Sequence, residues 1–576
     1  MRYFCLICDY DGTIARDGRC APSTLEALKR VRASGRRVIL ATGRELPELQ
    51  EVFPEYAIFD RIVAENGALL YRPASKDCKR LADPPPPEFV DELRRRGVSP
   101  LSVGECIVAT WHPFETIVLD VIHEMGLELQ VIFNKDAVMV LPSGVNKATG
   151  VQVALNEMRL SPHNAVGVGD AENDQSFLAM CECSVAVANA LPPVKERADW
   201  VTTGSHGAGV EELIEKLLSE DLASLAPRLR RHHILLGQGE EGRDFLLDPY
   251  ESRLVIGGPS GGGKSTTVAA IVERLVEKKY QVCVFDPEGD YDEFEQFVTL
   301  GGPQRVPGVS EILEVLNAME HSLSINLLGV PLADRPATFM SLLSRIQELR
   351  AKTGRPHWIV IDEAHHLLPA TLDSASLTIP KELTSFALVT VHPDQVARAI
   401  LTSTNGLIAI GPNPSAVIEQ FSVGAGKDLR PNLLPASPKE TGEVIAWWFW
   451  ESQQPVKVKV EPAKAELRRH RRKYESGELG QDKSFYFRGP DGKLNLRAQN
   501  MKQFTQLAEG VDDETWMYHL RQEDYSRWLR EAVKDAKIAE EVANIEKQSQ
   551  LGPSESRAQI LDVIRKHYTA PAEASV

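Results

Sequence analysis

Short apolar runs alternate along the chain with longer segments whose apolar positions recur every three or four residues. Tyr3–Cys8, Arg37–Ala41 and Ala165–Gly169 are almost wholly apolar and of strand length. Continuous rather than alternating apolarity marks strands covered on both faces, as in a parallel sheet. Between the first two lies a helical pattern near Ser23–Ser34, so the opening part predicts an α/β fold. Four prolines at 84–87 break the rhythm. Beyond them, Cys106–Asp120 and Leu127–Leu141 carry strand-rich segments around a helix, the pattern of an inserted subdomain.

A second apolar series follows: Leu254–Gly257, Gln281–Phe285, Trp358–Ile361, Phe386–Val391 and Gly406–Ile410, then a strand pair near Glu443–Trp450 and Val456–Val460. Ser484–Lys547 predicts a small, mainly helical module rich in aromatics. From Gln548 the chain reads as a loose tail with one amphipathic helix near Ser556–Tyr568. The expected division is 1–218 (insertion about 72–141), a connector 219–233 with Arg228, Arg230 and Arg231, then 234–463, a basic linker 464–483, 484–547 and 548–576.

Length supports this division, because 576 residues exceed one core. The net charge of −16 argues against a generally basic nucleic-acid coat, though a local basic channel is compatible with it. No apolar run has the roughly 20 residues that span a bilayer, and the chain opens on a strand rather than a signal peptide. The expectation is therefore a cytoplasmic protein without a membrane partner. Cys5 and Cys8 form a lone CxxC, but residues three apart on a strand face opposite ways, so reduced, partly buried thiols are expected.

The first chemical constellation starts at Asp9-Tyr10-Asp11-Gly12-Thr13, directly after the first strand. Residues i and i+2 of a strand share a face, so both carboxylates can meet one substrate, one as nucleophile and one as acid–base. An attacking carboxylate and a phosphate repel, which calls for Mg²⁺; Asp170 and Asp174, after a later strand, are candidate ligands. Thr42 offers a hydroxyl to phosphate and Lys147 a compact positive charge.

Asp9-Tyr-Asp-Gly-Thr13, Ala41-Thr-Gly-Arg44, Glu65-Asn-Gly-Ala68, Lys147 and Gly169-Asp-Ala-Glu-Asn-Asp174 resemble the haloacid dehalogenase superfamily, in its Cof-like and sucrose-phosphatase-like branch. The resemblance implies a Rossmann-like parallel sheet with an inserted α/β cap that chooses the substrate. It implies Asp9 as the phosphorylated nucleophile, Asp11 as general acid and base, and Thr42 and Lys147 on phosphate. Asp9, Asp11, Asp170 and Asp174 would surround Mg²⁺, and Asn173 would help place the site.

The second constellation is Gly258-Pro-Ser-Gly261-Gly262-Gly263-Lys264-Ser265-Thr266, between a strand and a helix. Glycines let backbone N–H groups curl around phosphate, and the helix N-terminus adds a favourable dipole. Lys264 would reach the outer phosphates of ATP, and Ser265 would hold Mg²⁺. The apolar strand Trp358–Ile361 ends in Asp362, suited to Mg²⁺, and Glu363, suited to activating water. Together with Asp286 and the Asp362-Glu-Ala-His-His366 string, these residues look like the HerA/FtsK-like ATPases, a RecA/HerA-like P-loop class over about 230–460. That resemblance implies a homo-hexameric ring, with DNA as a candidate partner. The sequence departs from it where a polar sensor is expected: Thr390 or His392 takes that place. Arg398 is a candidate arginine finger, and Arg468–Lys473 a basic run able to meet phosphate backbones or to be a solvated linker.

The leading expectation is a bifunctional enzyme: a Mg²⁺-dependent aspartyl-phosphate phosphatase and a ring ATPase that couples ATP hydrolysis to dephosphorylation of a nucleic-acid end or nucleotide, in repair or defence. A small-metabolite phosphatase, such as one for a phosphosugar, with the ring as scaffold or regulator, stays open. So do a polynucleotide kinase–phosphatase and an ATP-gated oligomer whose first domain only recognises phosphate.

Overall fold

The computed structural model describes residues 1–134, 136–239, 242–291, 296–372, 383–426, 438, 440, 442–448, 454–464, 484–533, 536–548 and 550–568. Residues 1–464 form one compact unit and residues 465–576 a second. The run Arg468–Lys473 lies outside the described residues.

The first sheet has eight strands in the order Trp200–Val201, Cys183–Ala186, Ala165–Gly169, Cys5–Cys8, Arg37–Ala41, Arg61–Ala64, Leu69–Arg72 and Asp77–Arg80. The first six run parallel and the last two fold back antiparallel. All four residues of Cys5–Cys8 are buried, which is what continuous apolarity signalled, and Cys5 and Cys8 are free thiols. The chain leaves this strand toward Arg37–Ala41 on one side and Ala165–Gly169 on the other. Its C-terminal end is therefore the topological switch point, where open α/β sheets bind ligands.

The cap is a four-stranded sheet, in the order Leu129–Asn134, Ala137–Pro142, Val108–Trp111 and Ser102–Val103, with helices Pro87–Arg95 and Glu115–Glu124. It begins later than the expected position 72, because Leu69–Arg72 and Asp77–Arg80 extend the core sheet instead. Glu65 fixes the cap's root. Its buried carboxylate accepts the backbone N–H groups of Glu105, Cys106 and Ile107 at 3.0, 2.7 and 3.1 Å.

The third main sheet has eleven strands, with Arg253–Gly257 between Gly406–Ile410 and Phe386–Thr390 and the run continuing through Trp358–Ile361, Val282–Asp286, Ser322–Asn326 and Phe297–Gly301. Sequence reading missed the last two. Ser322-Leu-Ser-Ile-Asn326 alternates like a half-exposed strand, yet every residue is buried. Glu443–Trp448 and Val456–Val460 then link Gly406–Ile410 to Ile234–Gly239 and Asp244–Leu247 by antiparallel pairing.

The two sheets meet at the starts of their strands. Asn164, before Ala165–Gly169, accepts from His357 Nε2, before Trp358–Ile361, at 3.3 Å. Glu182, before Cys183–Ala186, accepts from the Tyr280 hydroxyl at 3.0 Å and from Arg2 at 2.7 Å. His163 stacks on Tyr280 at 3.7 Å and contacts the Lys278 carbonyl at 2.7 Å. Arg2 lies over Tyr250 at 4.0 Å, and Arg355 donates to the Arg159 carbonyl at 3.0 Å. The C-terminal ends of the two sheets therefore face apart. At about 3.3 Å per strand residue, the intervening strands hold those two ends on the order of 30–40 Å from each other.

In the second unit, the hairpin Phe485–Phe487 with Leu496–Ala498 packs on helices Met501–Gly510, Asp513–Arg521, Asp524–Trp528 and Ala536–Glu546. Phe485, Phe487, Phe504, Trp516, Tyr525 and Trp528 are buried, so most of the aromatics build a core. The expected loose tail is corrected: helix Pro553–Tyr568 places Ile560, Leu561 and Ile564 in that core, and the Ser556 hydroxyl accepts from Trp516 Nε1 at 3.0 Å. Its apolar stripe is buried against the module.

Candidate functional site

At the switch point of the first sheet, three carboxylates and one ammonium converge. Asp9 leaves the end of its strand, and Asp170 and Asp174 flank the turn after Ala165–Gly169. Lys147 opens the helix Lys147–Glu157. Lys147 Nζ donates to Asp9 Oδ1 at 2.5 Å and to Asp174 Oδ1 at 2.6 Å, with all three side chains buried. Asp174 Oδ2 accepts the backbone N–H groups of Asp170 and Ala171, both at 2.9 Å, which fixes it. Thr13 donates to Asp170 Oδ1 at 3.2 Å. Gly12 has φ +87°, and a Cβ there would sit 2.4 Å from Asp170 Oδ2, so close approach demands glycine.

The electrostatics follow from this crowding. Burial, then the Asp174 carboxylate, push the Asp9 acid well above the usual carboxylate range, with Lys147 opposing them. Burial acts to lower the Lys147 ammonium, but Asp174 and Asp9 outweigh it and raise the group. Three acids against one lysine leave an excess of negative charge. Oxygens of Asp9, Asp170 and Asp174 lie within 4.8 Å of one another, a hard-oxygen set that fits a divalent cation such as Mg²⁺.

Asp11 does not join that cluster. Its carboxylate accepts from Arg44 Nε at 2.6 Å and Nη2 at 2.8 Å, at the more open rim. The shared-face expectation fails because the strand ends at Cys8 and the backbone turns through Tyr10 to Gly12 before a second inward position arises. The expected place of Asp11 as a side-chain metal ligand beside Asp9, Asp170 and Asp174 is therefore corrected: its carboxylate lies with Arg44. Thr42 is buried, and its hydroxyl accepts the Arg44 N–H at 3.1 Å. Asn173 Nδ2 donates to Asn66 Oδ1 at 3.1 Å. From the cap, Met139 reaches the loop of Thr42: its Cε lies 3.2 Å from where a Cβ on Gly43 would be. Sequence reasoning missed Asn189 and His206, which hold the Gly12 carbonyl at 2.8 and 2.9 Å, because nothing near them repeats a phosphate-site pattern.

The second centre lies at the C-terminal end of Arg253–Gly257. Gly258, Gly261 and Gly263 have φ of +159°, +72° and +107°, and helix Lys264–Glu277 begins directly after Gly263. A Cβ on Gly262 would lie 3.0 Å from the Pro259 carbonyl oxygen. Lys264 Nζ donates to the Gly258 and Pro259 carbonyls at 2.9 and 3.1 Å, and so lies over the loop that would cradle phosphate. Ser265 is half-buried in the helix's first turn and Thr266 is exposed beside it.

Asp362 is buried at the end of Trp358–Ile361 and its Oδ1 accepts the Glu363 N–H at 3.0 Å. Burial, with help from Asp362 and Glu288, pushes the Glu363 acid up to about 7. Asp286 is likewise raised to about 7 by burial, although Tyr291, Gly289 and Glu288 donate backbone N–H groups to it. The chemistry of Ser265, Asp362 and nearby acids suits Mg²⁺ carried with nucleotide phosphates. Thr390 and His392 flank this centre through His365, whereas Arg398 donates to the Gly426 carbonyl at 3.2 Å on its own helix–loop surface.

A family model described as haloacid dehalogenase-like hydrolase matches residues 6–93 and 120–214, and one described as the central domain of helicase HerA matches residues 247–353. The first part is similar to a phosphoglycolate phosphatase of Haloarcula marismortui, 32% identical over 223 residues, covering 36% of this chain and 95% of that protein. It is also similar to one from Methanothermobacter thermautotrophicus, 28% identical over 218 residues, covering 36% of this chain and 96% of that protein. Among solved structures, a haloacid dehalogenase-like hydrolase from Bacteroides thetaiotaomicron aligns at 20% identity and TM-score 0.33, over 37% of this chain and 99% of that one.

Proposed function

Since this chain belongs, through its first domain, to the haloacid dehalogenase-like hydrolases, we propose that its first centre cleaves a small phosphomonoester by way of an aspartyl-phosphate on Asp9, and that its second centre hydrolyses ATP. The observation that carries the first half is the buried Asp9–Lys147–Asp174 cluster beneath a cap that touches the Thr42–Gly43 loop.

Asp9 attacks phosphorus as its carboxylate, which requires positive charge beside it. Lys147 supplies one such charge and holds Asp9 in place. Asp9, Asp170 and Asp174 would hold Mg²⁺, which would supply the remaining charge compensation for carboxylate and phosphate. As the ester P–O bond breaks, the leaving oxygen takes a proton from Asp11 in its carboxylic-acid form, and the Arg44 pair then stabilises the carboxylate left behind. The resulting Asp11 carboxylate then takes a proton from water, whose oxygen attacks phosphorus and restores Asp9 with release of phosphate. Arg44, paired with Asp11 through two N–H groups, holds that carboxyl at the rim. Thr42 would receive phosphate.

The cap favours a small leaving group, because Met139 stands against Gly43 at the phosphate loop and a bulky ester would have to displace it. Two proteins similar to this part are named phosphoglycolate phosphatases, so 2-phosphoglycolate heads the substrate panel, with phosphosugars beside it. The nucleic-acid reading draws its support from the HerA-like domain. In a single chain, however, the two centres face apart, and an end leaving one would have to travel around the body to reach the other. The ATPase half rests on the glycine loop with Lys264 and on Asp362 and Glu363; a glutamate raised by burial and Asp362 to near neutrality suits a general base for the attacking water. A homo-hexameric ring is the assembly we propose for it.

The test is Mg²⁺-dependent phosphate release from 2-phosphoglycolate, a phosphosugar panel and a 3′-phosphorylated oligonucleotide. Turnover of a small ester, abolished by Asp9→Asn and by EDTA, is the expected result. Turnover of the oligonucleotide alone would overturn the small-ester reading, and undiminished turnover by Asp9→Asn would overturn the aspartyl-phosphate.

A further inference from the structure

Glu363 stands in an unusual position. Its backbone lies in the left-handed region, φ 41° and ψ 50°, between the strand Trp358–Ile361 and the short helix Ala364–Leu367. This conformation costs a non-glycine residue on the order of 1–3 kcal/mol and persists where the surroundings over-determine it. Its Oε2 is buried with no hydrogen-bond partner among the described residues. The imidazole nitrogen facing that oxygen is His365 Nδ1, at 3.4 Å. The same Nδ1 is 3.1 Å from Thr390 Oγ1, which accepts the His392 N–H at 3.0 Å. Thr390 is in register with Gly257, and its carbonyl accepts the Gly258 N–H at 3.3 Å. One continuous line of contacts thus runs from the first glycine of the phosphate loop through Thr390 and His365 to Glu363.

We propose that His365 is the positioning residue for Glu363, with its Nδ1–H shared between Thr390 and the glutamate, so that phosphate-loop occupancy sets where Glu363 points. The role rests on the ATPase reading above. Charge-assisted hydrogen bonds close at about 2.7–2.9 Å. A movement of about half an ångström would therefore turn the 3.4 Å approach into a bond. The rings of His366 and His392, at centroid distances of 4.1 and 5.5 Å, fix the plane of His365. Burial, with His366 and His392, holds His365 down at about 4, so it acts as a neutral donor and not as a counter-charge.

The experiment compares ATP turnover by the full-length wild type with His365→Ala, His365→Asn and His365→Gln. Fluorescent-ATP binding and melting temperature serve as controls. An asparagine amide places an N–H near the position of Nδ1; a glutamine amide reaches toward Nε2. The expected result is a kcat about ten- to a hundred-fold lower for His365→Ala, with KM for ATP within about threefold. His365→Asn should recover most of that loss and His365→Gln little of it. If His365→Ala does not fold, the Asn-against-Gln difference carries the test. A kcat within twofold of wild type for His365→Ala, a loss confined to KM, or equal rates for Asn and Gln would overturn the role of His365 alone. A wild type that binds ATP without turning it over would instead overturn the ATPase reading, and the role with it.

Discussion

Lys147 shows how one residue can serve both stability and chemistry. Its ammonium bridges two buried carboxylates of a three-acid cluster. Removing one partner of a buried ion pair costs on the order of 3–5 kcal/mol, since the other charges stay buried without compensation. Lys147→Met should therefore lower metal-free stability by about that amount in denaturant titrations and abolish phosphatase turnover. Millimolar Mg²⁺ should restore part of the stability and none of the turnover. Equal stability losses with and without Mg²⁺ would show that the three acids do not share a cation. The identity of Lys147 was readable from the order of motifs. The divergence of Asp11 toward Arg44 was not, because strand alternation carries no information past the last strand residue.

At the scale of elements, the contact between the two sheets is the feature most exposed to acid. Burial holds His232 down at about 4, and His357 is lowered further by burial and by His163. A histidine whose folded value is depressed takes its proton in the unfolded chain first. Stability is then full above about 6.5 and falls as pH drops toward 4. Glu182 acts in the same direction. Burial raises it, but His163 and Arg2 outweigh burial and lower it, so its contribution fades as acid protonates it below its unfolded value of 4.5. His232 alone accounts for on the order of 3 kcal/mol across that window. Denaturant titrations between pH 7.5 and 4.5 should show residues 1–464 losing stability steadily, and His232→Gln should flatten the upper part of that loss. An unchanged slope in the variant would assign the acid sensitivity to other groups.

For the whole molecule, the opposed orientation of the two centres predicts functional independence within one chain. Asp9→Asn should remove phosphatase activity and leave ATP turnover within about twofold, and Lys264→Ala should do the reverse, since sites tens of ångströms apart with no shared partners usually do not couple. A large crosswise loss in either variant would reveal communication through the Glu182–Tyr280 contact. Among the described residues, no helix is long and apolar enough to cross a membrane.

Much of this was legible in the chain. Local sequence dictates strands buried on both faces, glycines that curl a loop, and acids at strand ends, because these depend on neighbours a few residues away. Sequence alone therefore determined where the two candidate centres lie, the α/β class of the first two domains and the aromatic core of the C-terminal module. Tertiary structure alone decided what depends on distant residues. It turned Asp11 to Arg44, buried the polar strand Ser322–Asn326, docked Pro553–Tyr568 into a core and set His365 between Thr390 and Glu363. It also joined the two sheets at the starts of their strands, through Arg2, Asn164, Glu182, Tyr280 and His357. Those residues are scattered over more than 350 positions, and no local pattern distinguishes them from surface polar groups. Only packing, which removes them from water and obliges each to find a partner, gives them their place.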